Sequence, residues 1–187
     1  MSLFLLYGSI GSGKSTLGKA LSSNDIKIIE LDTINKNILE TNPKIINKIA
    51  LVAPACLDKN QSINKSVLKK LIFNEASIRT AIESIMHPEI INAAINELKS
   101  KEKYKIIISP LVSKIVKKIN FEKIVYLQLD KKKQIKRVQL RDEIDEIMIN
   151  NIINIQNKDY KNIKNDLVID GSMDIKIQKD KFLELIK

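Results

Sequence analysis

The sequence has very little cysteine, histidine and aromatic side chain. Cys56 is the single cysteine among 187 residues, which excludes an internal disulfide and fits a reducing compartment. One histidine and one cysteine also exclude a metal site built from His and Cys ligands. Tryptophan is absent and aromatic residues make up 4% of the chain, so isoleucine and leucine must fill the core.

Long apolar runs are missing as well. No stretch approaches the length of a transmembrane helix, and the short apolar run near the N-terminus lacks the basic start of a secretion signal. We therefore expect a soluble, cytoplasmic protein without a membrane partner. The net charge of +10 favours polyanionic partners, but no basic segment is interleaved with base-stacking aromatics. Nucleic acid is therefore not an expected partner.

The chain does carry one strong motif, GSIGSGKST at residues 8–16. An apolar run that predicts a strand precedes it, and an amphipathic segment that predicts a helix from Lys14 follows it. Strand, loop and helix in this order are the context that the P-loop pattern G-x-x-x-x-G-K-[ST] requires. The alternative, a glycine-rich turn that binds nothing, is disfavoured because this context is present on both sides.

Each kind of residue in this loop has a physical reason. Glycines let backbone N–H groups turn toward phosphate oxygens, and the N-terminus of the helix attracts the same phosphates. Lys14, expected as a solvated charge, reaches the β- and γ-phosphates, and the Ser15 hydroxyl ligates Mg²⁺. The motif therefore predicts binding of a nucleoside triphosphate. The expected binding residues here are Gly8, Gly11, Ser12, Gly13, Lys14, Ser15 and Thr16.

Alternating strand and helix patterns predict an α/β, P-loop NTPase-type fold of three layers with a central parallel sheet of about five strands. The segment from 33 to 103 has only helical patterns, with a helix boundary expected at His87-Pro88 because proline disfavours the helical conformation before it. A later helix over 143–157 is expected to bury Ile147 on its apolar side. The expected strands cover residues 2–7, 26–31, 104–109, 124–129 and 167–170.

We expect one domain, 1–187, in three parts. The core covers about 1–33, 104–130 and 165–187. A helical lobe inserted over about 34–103 would hold an acceptor substrate, and a helical lid would cover about 131–160.

Three charged side chains are further candidates. Asp32 follows the second strand, and ligands in open α/β sheets collect at the carboxyl ends of strands, so it is a candidate base or organiser of Mg²⁺-bound water. An exposed carboxylate that caps a helix is the alternative. Arg137 and Arg141 are four residues apart on a basic helix and share a face. We interpret them as planar cations that close over transferring phosphates.

Several motifs in order resemble the dephospho-coenzyme A kinase family over most of the chain. After the P-loop, Asp32 ends a Glu-Leu-Asp segment where the family usually has Asp-Ala-Asp, and His87-Pro88 matches the family's His-Pro pair. Residues 134–142 (QIKRVQLRD) match Q-x-x-R-x-x-x-R-D, Gln156 follows, and residues 166–170 (DLVID) resemble the last strand.

This resemblance implies ATP-dependent phosphorylation of the ribose 3′-hydroxyl of dephospho-CoA, with Mg²⁺ as cofactor. Asp32 would accept the hydroxyl proton, while Lys14 and Arg137 would neutralise charge on the γ-phosphoryl group. Arg141 would help close the lid over ATP, with Asp170 and Gly171 near the adenine. The expected acceptor contacts are Lys65, Arg79 and His87.

The differences from the family fall on the acceptor side. Ser113-Lys114 stand in place of a usual glutamate, Glu30 replaces an aspartate, and Lys65 replaces a common arginine. Two alternatives stay open: another P-loop kinase of small molecules or nucleotides, and a non-catalytic nucleotide-binding homologue. A monomer is the simplest assembly for a chain of this size.

Overall fold

The computed structural model describes residues 2–110, 112–142 and 144–186. The chain forms two compact units, one from the segments up to Glu30 and from Leu98 onward, the other from Leu31–Glu97. The predicted ends of the core at residues 1 and 187, and the predicted helix start at Glu143, lie outside the described residues.

The larger unit is built on a five-stranded parallel sheet with the order β2-β3-β1-β4-β5. This confirms the predicted α/β architecture. Because all its strands are parallel, their carboxyl ends meet at one edge, and the loop after the central strand β1 lies there. The strands are β1 Ser2–Tyr7, β2 Ile26–Glu30, β3 Tyr104–Ser109, β4 Lys123–Gln128 and β5 Leu167–Asp170.

Helices account for most of the remaining described residues. In chain order they are α1 Lys14–Leu21, α2 Leu31–Thr41, α3 Pro43–Val52, α4 Lys65–Asn74, α5 Ala76–Glu97, α6 Val112–Ile115, α7 Lys131–Asp142, α8 Glu146–Tyr160 and α9 Ile175–Ile186. Within the described part of the chain, none of them combines the length and the apolar sequence needed to cross a bilayer.

Close packing against the sheet sets the position of α1. A Cβ atom added to Gly18 would lie 2.3 Å from the Ile108 Cδ1 atom on β3, so any larger residue would force the Ile108 side chain to shift. On β1, the Phe4 ring packs edge-on against Phe182 of α9 with ring centroids 6.4 Å apart. The loop between β1 and α1 is therefore held by two elements that are fixed in the core.

The predicted helix boundary at His87-Pro88 is wrong. Helix α5 runs from Ala76 to Glu97 with Pro88 inside it. Proline in a helix interior costs roughly 3 kcal/mol, whereas each large apolar side chain that becomes buried contributes about 1.5–3 kcal/mol. Burial of the continuous apolar face outweighs the local cost, because that face stays in register only if the helix continues. Its buried residues are Ile82, Met86, Ile90, Ile91 and Ala94.

Two further differences concern helix starts. Strand β2 ends at Glu30 and α2 begins at Leu31, so Asp32 lies in the first turn of a helix. Helix α8 begins at Glu146, capped by the Asp145 carboxylate, which accepts the N–H of Met148 at 2.7 Å. Ile147 is therefore in the first turn and 75% exposed, so its predicted burial is wrong.

Candidate functional site

The loop after β1 has the backbone shape of an anion-binding turn. Gly11 and Gly13 have φ angles of +77° and +104°, in the left-handed region that favours glycine, and Gly13 is the N-cap residue of α1. Ser15 and Thr16 follow on the first turn of α1, and both are exposed. The N-terminus of α1, with its positive dipole end, is therefore open to an anionic ligand.

Lys14 lies against its own loop. Its Nζ atom donates to the carbonyl oxygens of Gly8 at 2.8 Å and of Ser9 at 3.2 Å, and the residue is 9% exposed. The expectation of a solvated charge at this position is therefore wrong. Two loop carbonyls lie within reach of the ammonium and replace water around it, which makes burial of the cation possible.

Helix α7 packs directly on this loop. A Cβ atom on Gly11 would lie 2.8 Å from Val138 Cγ2 and 2.9 Å from the carbonyl oxygen of Gln134. The Gln134 side chain also anchors the helix, since its Nε2 atom donates to the carbonyl of Leu129 at 2.9 Å. This packing fixes the distance between α7 and the loop, and with it the position of the arginines on α7.

Arg137 and Arg141 both line a cavity of about 360 Å³ beside the loop. The Arg137 Nη2 atom donates to the carbonyl oxygen of Gly171 at 3.3 Å. Arg141 is mostly exposed, and its Nε and Nη2 atoms bind the Asp142 carboxylate at 2.6 and 2.7 Å. The other lining residues are Gly11, Gly13, Thr16, Gly171, Met173, Ile175 and Gln178.

The turn after β5 forms the far wall of this cavity. A Cβ atom on Gly171 would lie 2.6 Å from the carbonyl oxygen of Ser12, so the turn touches the P-loop. Asp170 stabilises the turn: its carboxylate accepts the Ser172 N–H at 2.8 Å, a bond that lowers the pKa of Asp170 below its usual value. Asp170 itself lines a neighbouring cavity with Lys133 and Ser172.

Sequence reasoning missed Met173, Ile175 and Gln178 as cavity residues. Met173 and Ile175 are 39% and 36% exposed, so they offer apolar surface at the cavity wall. Gln178 is buried, and its Nε2 atom donates to the carbonyl of Met173 at 2.8 Å. The signal available in the sequence was that apolar residues follow closely after Asp170 and Gly171, which were predicted to lie at the site.

Helix α8 also holds the P-loop, through side-chain hydrogen bonds to three successive loop residues. The Gln156 Oε1 atom accepts the Ile10 N–H at 2.8 Å, and the Asn157 Oδ1 atom accepts the Ser9 hydroxyl at 3.0 Å. The Tyr160 hydroxyl donates to the carbonyl oxygen of Gly8 at 3.0 Å. Asn157 and Tyr160 were missed, although polar groups at 156, 157 and 160 on one helix are a recognisable cluster.

The last turn of α8 also holds the start of α6. The Asp159 Oδ2 atom accepts the N–H groups of Val112 and Ser113 at 2.8 and 3.0 Å, and the Ser113 hydroxyl donates to Oδ1. Ser113 stands where the resembled family usually has a glutamate. In this chain the residue therefore serves as a partner of Asp159 at a helix start.

The remaining predicted residues lie in the smaller unit. Asp32 is exposed in the first turn of α2. Lys65 at the start of α4 forms an ion pair with Glu40, and this bond lowers the pKa of the Glu40 carboxyl. Arg79 and His87 are half-buried on α5.

The oxygen ligands that the loop offers suit a magnesium ion held mainly by phosphate. Among the described residues, no group of three or more His, Cys, Asp and Glu side chains is arranged to hold a metal. Mg²⁺ bound with nucleotides needs only one or two protein oxygen ligands beside phosphate and water. The exposed Ser15 hydroxyl at the start of α1 is an oxygen of this kind.

Comparisons of this chain with known proteins identify one family. The family model described as Dephospho-CoA kinase matches residues 3–176. A dephospho-CoA kinase from Gamma-proteobacterium EBAC31A08 is 31% identical over 192 residues, which cover 97% of each chain.

Solved structures share the fold. The crystal structure of TT1252 from Thermus thermophilus has a TM-score of 0.77 and 17% identity, covering 99% of this chain and 96% of that chain. Dephospho-CoA kinase from Campylobacter jejuni has a TM-score of 0.58 and 22% identity, covering 99% of this chain and 95% of that chain.

Proposed function

This chain belongs to the dephospho-CoA kinase family, and we propose that it transfers the γ-phosphoryl group of ATP to the 3′-hydroxyl of dephospho-CoA. The family match over residues 3–176 carries this proposal. The cavity beside the P-loop supports it, because two arginines and the N-terminus of α1 line a volume of about 360 Å³. These are the groups that bind and neutralise a polyphosphate.

The larger unit supplies the ATP side of the reaction. The P-loop N–H groups and the α1 N-terminus bind the β- and γ-phosphates, and Lys14, whose ammonium the carbonyls of Gly8 and Ser9 hold in the loop, donates to the same phosphates. Arg137 neutralises charge that develops as the bond from the γ-phosphorus to the bridging oxygen breaks. A magnesium ion held by the Ser15 hydroxyl and the phosphates would supply further charge neutralisation.

Asp32 is the proposed acceptor of the hydroxyl proton. As the acceptor oxygen bonds to the γ-phosphorus, its proton passes to the Asp32 carboxylate. Support comes from the exposure of this carboxylate and from its place two residues after β2, whose carboxyl end lies at the P-loop edge of the sheet. The transition state is loose, so positioning of the hydroxyl contributes more than the strength of the base.

Other features of the acceptor side stay proposals. The inserted lobe over about 34–103 would bind dephospho-CoA, with Lys65, Arg79 and His87 as contacts. Lys65 would have to share its charge between substrate and Glu40.

Three further features also stay predictions: the lid over about 131–160, the monomeric state and the cytoplasmic location.

An assay with alternative acceptors tests the function. We expect the protein to form ADP and coenzyme A in equal amounts from ATP and dephospho-CoA. Shikimate and nucleoside monophosphates, the acceptors of related P-loop kinases, serve as controls and should give no ADP above background. ADP formation with one of these instead would identify another kinase. ATP binding without turnover on any acceptor would identify a non-catalytic homologue.

Arg137→Lys should lower kcat by roughly 10²-fold, the scale expected for loss of one transition-state donor, while the KM for ATP changes much less. Lysine keeps the positive charge but lacks the planar fork that bonds to two oxygens at once. Lys136→Ala, the neighbouring exposed position on α7, is the control and should retain full activity. Normal kcat in Arg137→Lys would show that the planar fork is not needed, and normal kcat in Arg137→Ala would contradict a role of Arg137 in the reaction.

A further inference from the structure

We infer that Ile10 is a positioning residue of the nucleotide site: its side chain docks the P-loop against α7 and α8 and thereby fixes the position of Arg137. The inference rests on the proposed function, because that function gives Arg137 its role at the phosphates. The side chain of Ile10 has no polar group, so it acts on the reaction through α7 and not by contact with the phosphates.

The Ile10 side chain belongs to an apolar cluster that is built mainly by α7 and α8. This cluster is distinct from the one that Phe4 and Phe182 form with the sheet. The P-loop therefore contributes a side chain to the interior of the pair α7 and α8. The members of the cluster are the buried Val138, Ile149 and Ile153 and the half-buried Ile10, Ile135 and Ile144.

The backbone of Ile10 is held by the same pair of helices. The Gln156 Oε1 atom on α8 accepts the Ile10 N–H at 2.8 Å. The next loop residue, Gly11, lacks a Cβ atom, and this lets Val138 of the cluster approach the loop closely. A loop residue whose side chain and N–H both have fixed partners cannot shift relative to the two helices without losing both contacts.

The position of α7 decides where the Arg137 guanidinium can reach. Arg137 precedes Val138, which is buried in the cluster that Ile10 joins. Its Nη1 atom would lie 3.7 Å from a Cβ atom on Gly13, and its Nη2 atom donates to the carbonyl oxygen of Gly171 at 3.3 Å. Because Arg137 is exposed, burial does not hold its side chain, and its distance from the P-loop follows the docking of α7.

Ile10→Ala removes most of the docking side chain and keeps the loop N–H. Steady-state kinetics should show kcat lowered roughly tenfold, because a displaced guanidinium stabilises the transition state less well. Ile10→Val keeps most of the apolar volume and should restore most of the rate. Leu185→Ala is the matched control, since Leu185 is a half-buried residue that packs against the sheet cluster from the last turn of α9. It should keep normal kcat.

A double-mutant cycle tests whether Ile10 acts through Arg137. In the Arg137→Ala background no guanidinium is left to be positioned, so adding Ile10→Ala should change kcat by less than about twofold. An equal loss in both backgrounds would overturn the inference, since Ile10 would then act independently of the arginine. Unchanged kcat in Ile10→Ala alone would overturn it as well.

Hydrogen exchange on the protein without nucleotide tests the docking itself. The backbone amides of α7 should exchange roughly tenfold faster in Ile10→Ala than in the unmodified protein, because the lost apolar contacts make local opening of α7 easier. Leu185→Ala should leave the exchange of these amides unchanged. If Ile10→Ala also leaves it unchanged, the loop does not dock α7 and the inference is wrong.

The experiments separate the two failures. If the unmodified protein forms no ADP with any acceptor, the proposed function is wrong and the role of Ile10 in the reaction falls with it, while hydrogen exchange still tests the docking. If the unmodified protein is active and Ile10→Ala lowers kcat equally in both backgrounds, the proposed function stands and the role of Ile10 is wrong.

Discussion

Lys14→Met should abolish phosphoryl transfer, with turnover lowered on the order of 10³-fold or more, the scale of an electrostatic group that acts on the transferring phosphoryl. The physical reason is that the methionine thioether cannot donate to the γ-phosphate as negative charge shifts on it. Steady-state kinetics with ATP and dephospho-CoA measure the effect.

The fold should survive this substitution. Methionine fills the space of the buried side chain, and the Tyr160 hydroxyl still donates to Gly8. Circular dichroism and urea unfolding check this point. Lys19→Ala, an exposed lysine at the end of the same helix, is the control and should keep normal turnover. Near-normal turnover in Lys14→Met would refute the assignment of the loop to nucleotide binding.

Asp32→Asn should lower turnover by roughly 10²–10⁴, the usual effect of losing a general base, with ATP affinity almost unchanged. The substitution keeps the size and polarity of the side chain but removes the charge that accepts a proton. Stability should fall by about 1 kcal/mol or less, the scale for an exposed carboxylate in the first turn of a helix. Kinetics and denaturant unfolding together separate these effects.

Asp58→Asn is a suitable control in the same unit. Its Oδ1 atom accepts the N–H groups of Asn60 and Ser62 at 2.8 and 2.9 Å, so it is a structural carboxylate of a turn. We expect unchanged turnover from this variant. If Asp32→Asn also keeps its rate per folded molecule and only loses stability, then Asp32 merely caps its helix.

Short patterns in the sequence were sufficient to predict most of the fold. Each buried strand is a short apolar run, such as YKIIIS in β3, and such runs predict strands without knowledge of their neighbours. The helix through Pro88 was mispredicted because the local penalty is visible in the sequence, while the burial that compensates for it is tertiary. Ile147 was misplaced because the Asp145 cap, and not apolar periodicity, decides where α8 begins and which residues it buries.

In the candidate site, the residue types predict the chemistry of each side chain but not its hydrogen-bond partners. The P-loop motif was enough to identify Lys14, yet burial against Gly8 and Ser9 depends on loop carbonyls whose directions only the folded backbone defines. Arg137 and Arg141 were recognisable from their spacing. Their place beside Gly171 depends on the close packing of α7 against Gly11.

The α/β class, the phosphate-binding loop and the family resemblance could be predicted from the sequence, because they depend on short patterns and on motifs in chain order. The contacts of α8 with the loop, and the carbonyl that Tyr160 and Lys14 share, could be found only in the folded chain. Residues 8 and 160 are 152 positions apart, and no local pattern links groups at that separation. Their contact exists because a parallel sheet brings the ends of distant strands, and the helices that follow them, to one edge.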